Sequence, residues 1–295
     1  MLYAAMAAAL FFLFDREQAG DDMLNACRPS MDYVHGYSYG RNGYDREELK
    51  RAVAYYQTLL LTNPRMPFVY ANLGFCYFYL HDPDKATWAY RVSTTMASYV
   101  YTAYFDLGFI AMSRGDYAQA ARYFEKSRSL VPRNREEFLD VLKINPKYYS
   151  EPLVQMDSIL FKRIAYDLHM IYAYLGSLYV RMKDYPRLEA LSDEGRVFFG
   201  QDPEMYYYGG LVKFNAGALK EALVLFTQAL VVAPDYADAY SGRARIWQMT
   251  GNVSRYRADM DKYQELKKAG EWKRPHDILD LHHWHDAILF FQMYK

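Results

Sequence analysis

Residues 70–93 read YANLGFCYFYLHDPDKATWAYRVS, and the reading of this stretch decides the fold. Its first half has a helical pattern, yet it keeps Gly74 in the middle of a run of bulky rings. A glycine inside a helix costs about 1 kcal/mol relative to alanine. Some packing gain must offset that cost. The search for the gain leads outward to the rest of the chain.

Small residues recur in register with Gly74. Glycines stand at Gly40, Gly74, Gly108, Gly176 and Gly210, with Ala244 next, and every interval is 34 residues or, once, twice 34. Four residues earlier come Gly36, Tyr70, Tyr104, Tyr172, Tyr206 and Tyr240. Twelve residues later come Ala52, Ala86, Ala120, Leu188, Ala222 and Tyr256. Four further on stand Tyr56, Tyr90, Phe124, Ser192, Phe226 and Met260. Pro64, Pro132 and Pro234 share a late phase. A fixed period of this length marks stacked repeats that bury a common core.

The pattern resembles the tetratricopeptide repeat, a 34-residue helix-turn-helix unit with the signature W-x2-L-G-x2-Y, then A-x3-F, then P. The unit from Pro67 matches at Tyr70, Leu73, Gly74, Tyr77, Ala86 and Tyr90. The unit from Tyr101 matches at Tyr104, Leu107, Gly108, Ala120, Phe124 and Pro132, and that from Pro203 at Tyr206, Gly210, Ala222, Phe226, Ala229 and Pro234. Units begin at Tyr33, Pro67, Tyr101, Arg135, His169, Pro203 and Ala237. The fourth is degenerate, with Leu142, Val154 and Ser158 at the glycine, alanine and aromatic positions. The resemblance implies an all-α, right-handed solenoid of about seven repeats over residues 33–270. An apolar N-terminal segment, 1–32, and a C-terminal capping helix, 271–295, flank it.

In this reading helix A of a unit packs on its helix B, with Gly74 set against Ala86 so that the backbones approach closely. Asp82, Asp116, Asp184 and Asn252 fall where helix B needs an N-cap. Cys76 reads as a small buried residue, since two cysteines form no disulfide or metal pattern.

The resemblance also implies that unit positions 2, 5, 9 and 12 of helix A line a concave groove. These positions and their neighbours carry Tyr37, Arg41, Phe68, Phe75, Phe78, Tyr79, Phe105, Phe109, Met112, Tyr174, Tyr207, Leu211 and Phe214. A face meeting only water would be polar or mixed. The groove is therefore expected to take an apolar or amphipathic peptide or helix of another protein. The alternatives are that the chain fills it with its own terminal segments, as in a structural subunit of a large assembly, or that it takes an apolar small molecule. The Lys–Asn clamp of co-chaperone repeats is missing: positions 5 and 9 carry Tyr37 and Arg41, Ala71 and Phe75, and Phe105 and Phe109.

The remaining features narrow the field. The 295 residues carry 35 Lys plus Arg and 35 Asp plus Glu, so a nucleic-acid partner, which needs a basic excess, is not expected. The apolar run MLYAAMAAALFFLF is too short to span a bilayer. Leu24-Asn25-Ala26-Cys27 looks like a lipobox, but Asp15, Arg16, Glu17, Asp21 and Asp22 precede it. The cytoplasm is the expected location, with export or lipid anchoring through this segment as the alternative. Gly36-Tyr37-Ser38-Tyr39-Gly40 satisfies G-x-S-x-G but lies in a helix rather than at a strand-to-helix turn, so no catalytic serine is expected. His282, His283 and His285 with Asp280 and Asp286 read as the polar flank of the capping helix, with metal binding as the alternative. No enzyme, cofactor or metal is needed to explain the sequence, and the oligomeric state stays open.

Overall fold

The computed structural model describes residues 46–98, 100–131 and 168–269. All regular structure among the described residues is α-helical. The chain divides into two compact units. The described part of the first holds α1 (Arg46–Thr62), α2 (Pro67–Tyr79), α3 (Pro83–Met96), α4 (Tyr101–Ser113) and α5 (Tyr117–Leu130). The second unit, from His169, holds α6 (helical at 168–182), α7 (Tyr185–Phe199), α8 (Pro203–Asn215), α9 (Leu219–Val232), α10 (Ala237–Met249) and α11 (Val253–Ala269). Residues 1–45, 132–167 and 270–295 lie outside the description. With them fall the first helix A, the degenerate fourth repeat, the histidine cluster and both flanking segments.

The packing is between neighbours. In the first unit α2 packs on α3, α4 on α5, and α2 on α4. In the second α8 packs on α9, α10 on α11, and α8 on α10. Helices α2 and α8 thus each touch their own helix B and the next helix A, which is how stacked repeats build a core from local contacts.

The gain that offsets Gly74 comes from a ring. A methyl on Gly74 would lie 2.7 Å from the Tyr90 ring. On Gly108 it would lie 2.8 Å from Phe124, and on Gly210 2.5 Å from Phe226. The bare backbone of helix A is a notch that receives the aromatic residue of helix B. Ala86, Ala120 and Ala222 are fully buried one turn earlier on helix B. The nearest neighbour of the bare Gly74 backbone is the Tyr90 ring, which the expectation of small residue against small residue had not included.

The turn between helices repeats as closely as the core. Unit position 15 has positive φ in the five units from Pro67, Tyr101, His169, Pro203 and Ala237: His81 at 62°, Gly115 at 77°, Lys183 at 57°, Gly217 at 77° and Gly251 at 74°, whereas in the unit from Tyr33 it is Glu47, already inside α1. The next residue donates its N–H to a carbonyl five residues back, as in Asp82 to Tyr77 (2.9 Å), Asp184 to Tyr179 (2.9 Å) and Ala218 to Lys213 (2.9 Å). This bond closes a left-handed helix C-terminus. The same residue then caps helix B. The side chains of Asp82, Asp116, Asp184 and Asn252 accept from the backbone N–H of Lys85, Gln119, Arg187 and Arg255 at 3.0–3.2 Å. Ala218 makes no such bond.

Candidate functional site

The aromatic face is built on the A helices, and each unit carries its own part. On α2 the half-buried Phe75 lies 4.6 Å from Tyr79, ring centroid to centroid, and Phe78 meets Tyr79 edge-on at 5.4 Å. Tyr79 is the most open, with 38% of its surface exposed. Phe68 stands in the first turn of the same helix. On α4, Phe105 and Phe109 contact each other edge-to-face at 4.9 Å, and Met112 is half-buried one turn on. Edge-to-face geometry brings the positive rim of one ring to the negative face of the other.

These rings are not cleanly separated from the inter-helix layer, as a simple reading of helical faces would have it. Phe105 and Phe109 each sit edge-on to the fully buried Phe124, at 5.5 and 5.6 Å. The reason is the notch at Gly108. Phe124 lies over that glycine, and positions three before and one after it flank the ring on either side. Phe105 and Phe109 thus touch the core ring while each keeps part of its surface exposed. Such anchoring removes rotamer freedom before any partner arrives.

In the second unit Tyr207 plays the same part toward Phe226, at 5.8 Å, and also meets Tyr236 at 5.6 Å. Burial, reinforced by the charge of Asp238, pushes the Tyr207 phenol well above its ordinary pKa, so it stays neutral. Leu211 is buried, and Tyr174 on α6 is half-buried. The Arg245 guanidinium covers the half-buried Phe214 at 4.4 Å, a cation–π contact that sets a positive charge against this ring. Asp238 is paired with Lys267 at 3.4 Å. Tyr37 and Arg41 lie outside the described residues.

Two polar clusters escaped the sequence reading. Asp259 is buried and accepts from Arg243 Nε (2.8 Å), Arg243 Nη2 (2.6 Å) and Trp247 Nε1 (3.0 Å), which locks α10 to α11. The other cluster joins His169, Asp202 and Glu204, all buried, with one donor atom of each within 4.8 Å of the others. Asp202 caps α8 through Met205 N–H at 3.0 Å and pairs with His169 Nε2. Burial alone would raise the Asp202 carboxyl, but the hydrogen bond and charge of His169 outweigh it and hold the pKa below its ordinary value. The two residues are 33 apart in sequence, one near each end of a single repeat. That spacing was visible, but neither residue belongs to the glycine–aromatic pattern that defines the unit.

Comparison with known proteins agrees with this architecture. Residues 101–134, one full unit, match the tetratricopeptide repeat family. No curated protein shows a significant sequence match. Among solved structures the fold is similar to YrrB, described as a TPR protein with an unusual peptide-binding site, at 17% identity over 78% of this chain and 97% of that one, TM-score 0.50. It is also similar to PilF of Pseudomonas aeruginosa, at 11% identity over 85% and 100% of the two chains, TM-score 0.51. A double mutant of MamA from strain RS-1 aligns at 13% identity over 70% and 97%, TM-score 0.50. At such identities the likeness concerns the fold. Joined to the matched unit and to the 34-residue recurrence of notch, ring and capped turn, it gives this chain the fold of a tetratricopeptide-repeat protein.

Proposed function

We propose that this protein is a non-enzymatic interaction scaffold whose aromatic A-helix face takes an apolar or amphipathic segment of a partner protein. The observation that carries the reading is the ring stack on α2 and α4. Phe75, Phe78, Tyr79, Phe105 and Phe109 contact one another in pairs, are only half-buried or exposed, and Phe105 and Phe109 are braced by the core ring Phe124. Rigid rings with open surface are the usual anchors of protein interfaces. Zero net charge argues for a protein rather than a nucleic acid as the partner. The peptide-binding site described for the structurally similar YrrB is compatible with this use of the fold. Among the described residues no helix is long and apolar enough to cross a membrane.

The test is a crosslinking pull-down from the native source with wild type, with Phe75→Asp plus Phe109→Asp, and with Val231→Asp. Val231 is an exposed apolar residue of the helix B α9 and serves as the control. Circular dichroism verifies that each variant is folded. The proposal expects the double variant to lose partners that Val231→Asp keeps. Identical partner sets for all three proteins would refute it. Truncation of residues 1–32 with dye binding to apolar surface then separates an open groove from one the chain fills itself.

A further inference from the structure

We propose that His169, Asp202 and Glu204 form a binding site for one divalent transition-metal ion, which ties α6 to the start of α8. The three side chains are 1%, 6% and 6% exposed, and one donor atom of each lies within 4.8 Å of the other two. That is close enough for the three to converge on one ion once the side chains draw in around it.

Ligand chemistry selects the ion: one nitrogen and two carboxylate oxygens suit zinc, cobalt or iron, whereas calcium and magnesium prefer all-oxygen sets.

The ligands are also held in place, which separates a site from a chance cluster. The Asp202 carboxylate is oriented through Oδ1, which accepts from Met205 N–H at 3.0 Å, so Oδ2 is the atom facing the imidazole. The His169 ring is fixed edge-on against Phe199 at 5.1 Å. Glu204 sits in the first turn of α8, two residues beyond the cap. Such outer support fixes ligand orientation ahead of the ion. Because the site joins the helix A of one repeat to that of the next, metal bound there stabilises the folded stack by mass action.

The experiment uses the untagged full chain carrying His282→Ala, His283→Ala and His285→Ala, so that the C-terminal imidazoles contribute nothing. After chelator treatment, Co2+ is titrated with visible absorption and equilibrium dialysis, and Tm is followed with and without Zn2+. One equivalent of Co2+ with a d–d band, and a higher Tm with Zn2+, is the expected result. Glu204→Gln keeps the side-chain size and leaves the Asp202 cap intact. It should weaken Co2+ at least about 10-fold and abolish the Zn2+ shift. Absence of stoichiometric Co2+ binding, or binding that neither Glu204→Gln nor His169→Gln changes, would show a buried ion pair and nothing more.

Discussion

At the scale of single residues, the fold turns on the contact between one missing side chain and one ring. Phe124 lies where a methyl on Gly108 would be, with 2.8 Å between them. The ring is fully buried and braced by Phe105 and Phe109, so it has little room to retreat. Gly108→Ala should therefore lose more through the clash than it gains in helix propensity. Overpacking of this kind costs about 1–3 kcal/mol, to be measured by urea denaturation. Unchanged stability would mean that the notch is looser than the geometry shows. The sequence announced the glycine and the aromatic at their fixed spacing but not their contact. Spacing places both residues on facing helices, and only the ring's orientation lays Tyr90 over Gly74.

At the scale of elements, the helix-turn-helix unit is held by the residue pair at positions 15 and 16. Position 15 takes left-handed backbone, which costs an ordinary L-residue about 1–2 kcal/mol. Three described units use glycine there, and two use His81 and Lys183, both exposed. Lys183→Gly relieves that strain, less about 0.4–1 kcal/mol for the extra freedom of the unfolded chain. A net gain in stability, read as a higher Tm, is the expected outcome. A lower Tm would mean that the Lys183 side chain contributes more than its backbone costs. Position 16 caps helix B in four of the described units and fails at Ala218. Ala218→Asp should add about 1 kcal/mol, whereas Ala218→Val should not. The caps were legible because Asp and Asn are chemically distinctive. The left-handed residue before them was hidden, since His81 and Lys183 break the run of Gly115, Gly217 and Gly251.

At the scale of the whole molecule, two compact units each present aromatic residues on their A helices, and each brings a different accent. The first offers stacked rings on α2 and α4, with Tyr79 the most open. The second pairs Phe214 with the exposed Arg245 guanidinium and buries much of Leu211 and Tyr207. Periodicity identified the residues of this face because helical geometry assigns positions to faces. It did not reveal that Phe105, Phe109 and Tyr207 reach sideways to the core rings. Nor did it reveal the His169–Asp202–Glu204 cluster, whose members meet only when successive repeats stack. The central claim is that a partner binds the A-helix face. Hydrogen–deuterium exchange of the full chain, with and without a partner captured by wild type, tests this most directly. Slowed exchange in peptides from α2 and α4, with α3 and α5 unchanged, is the result the account predicts. Protection confined to α3 and α5, the B helices of the same unit, would contradict it.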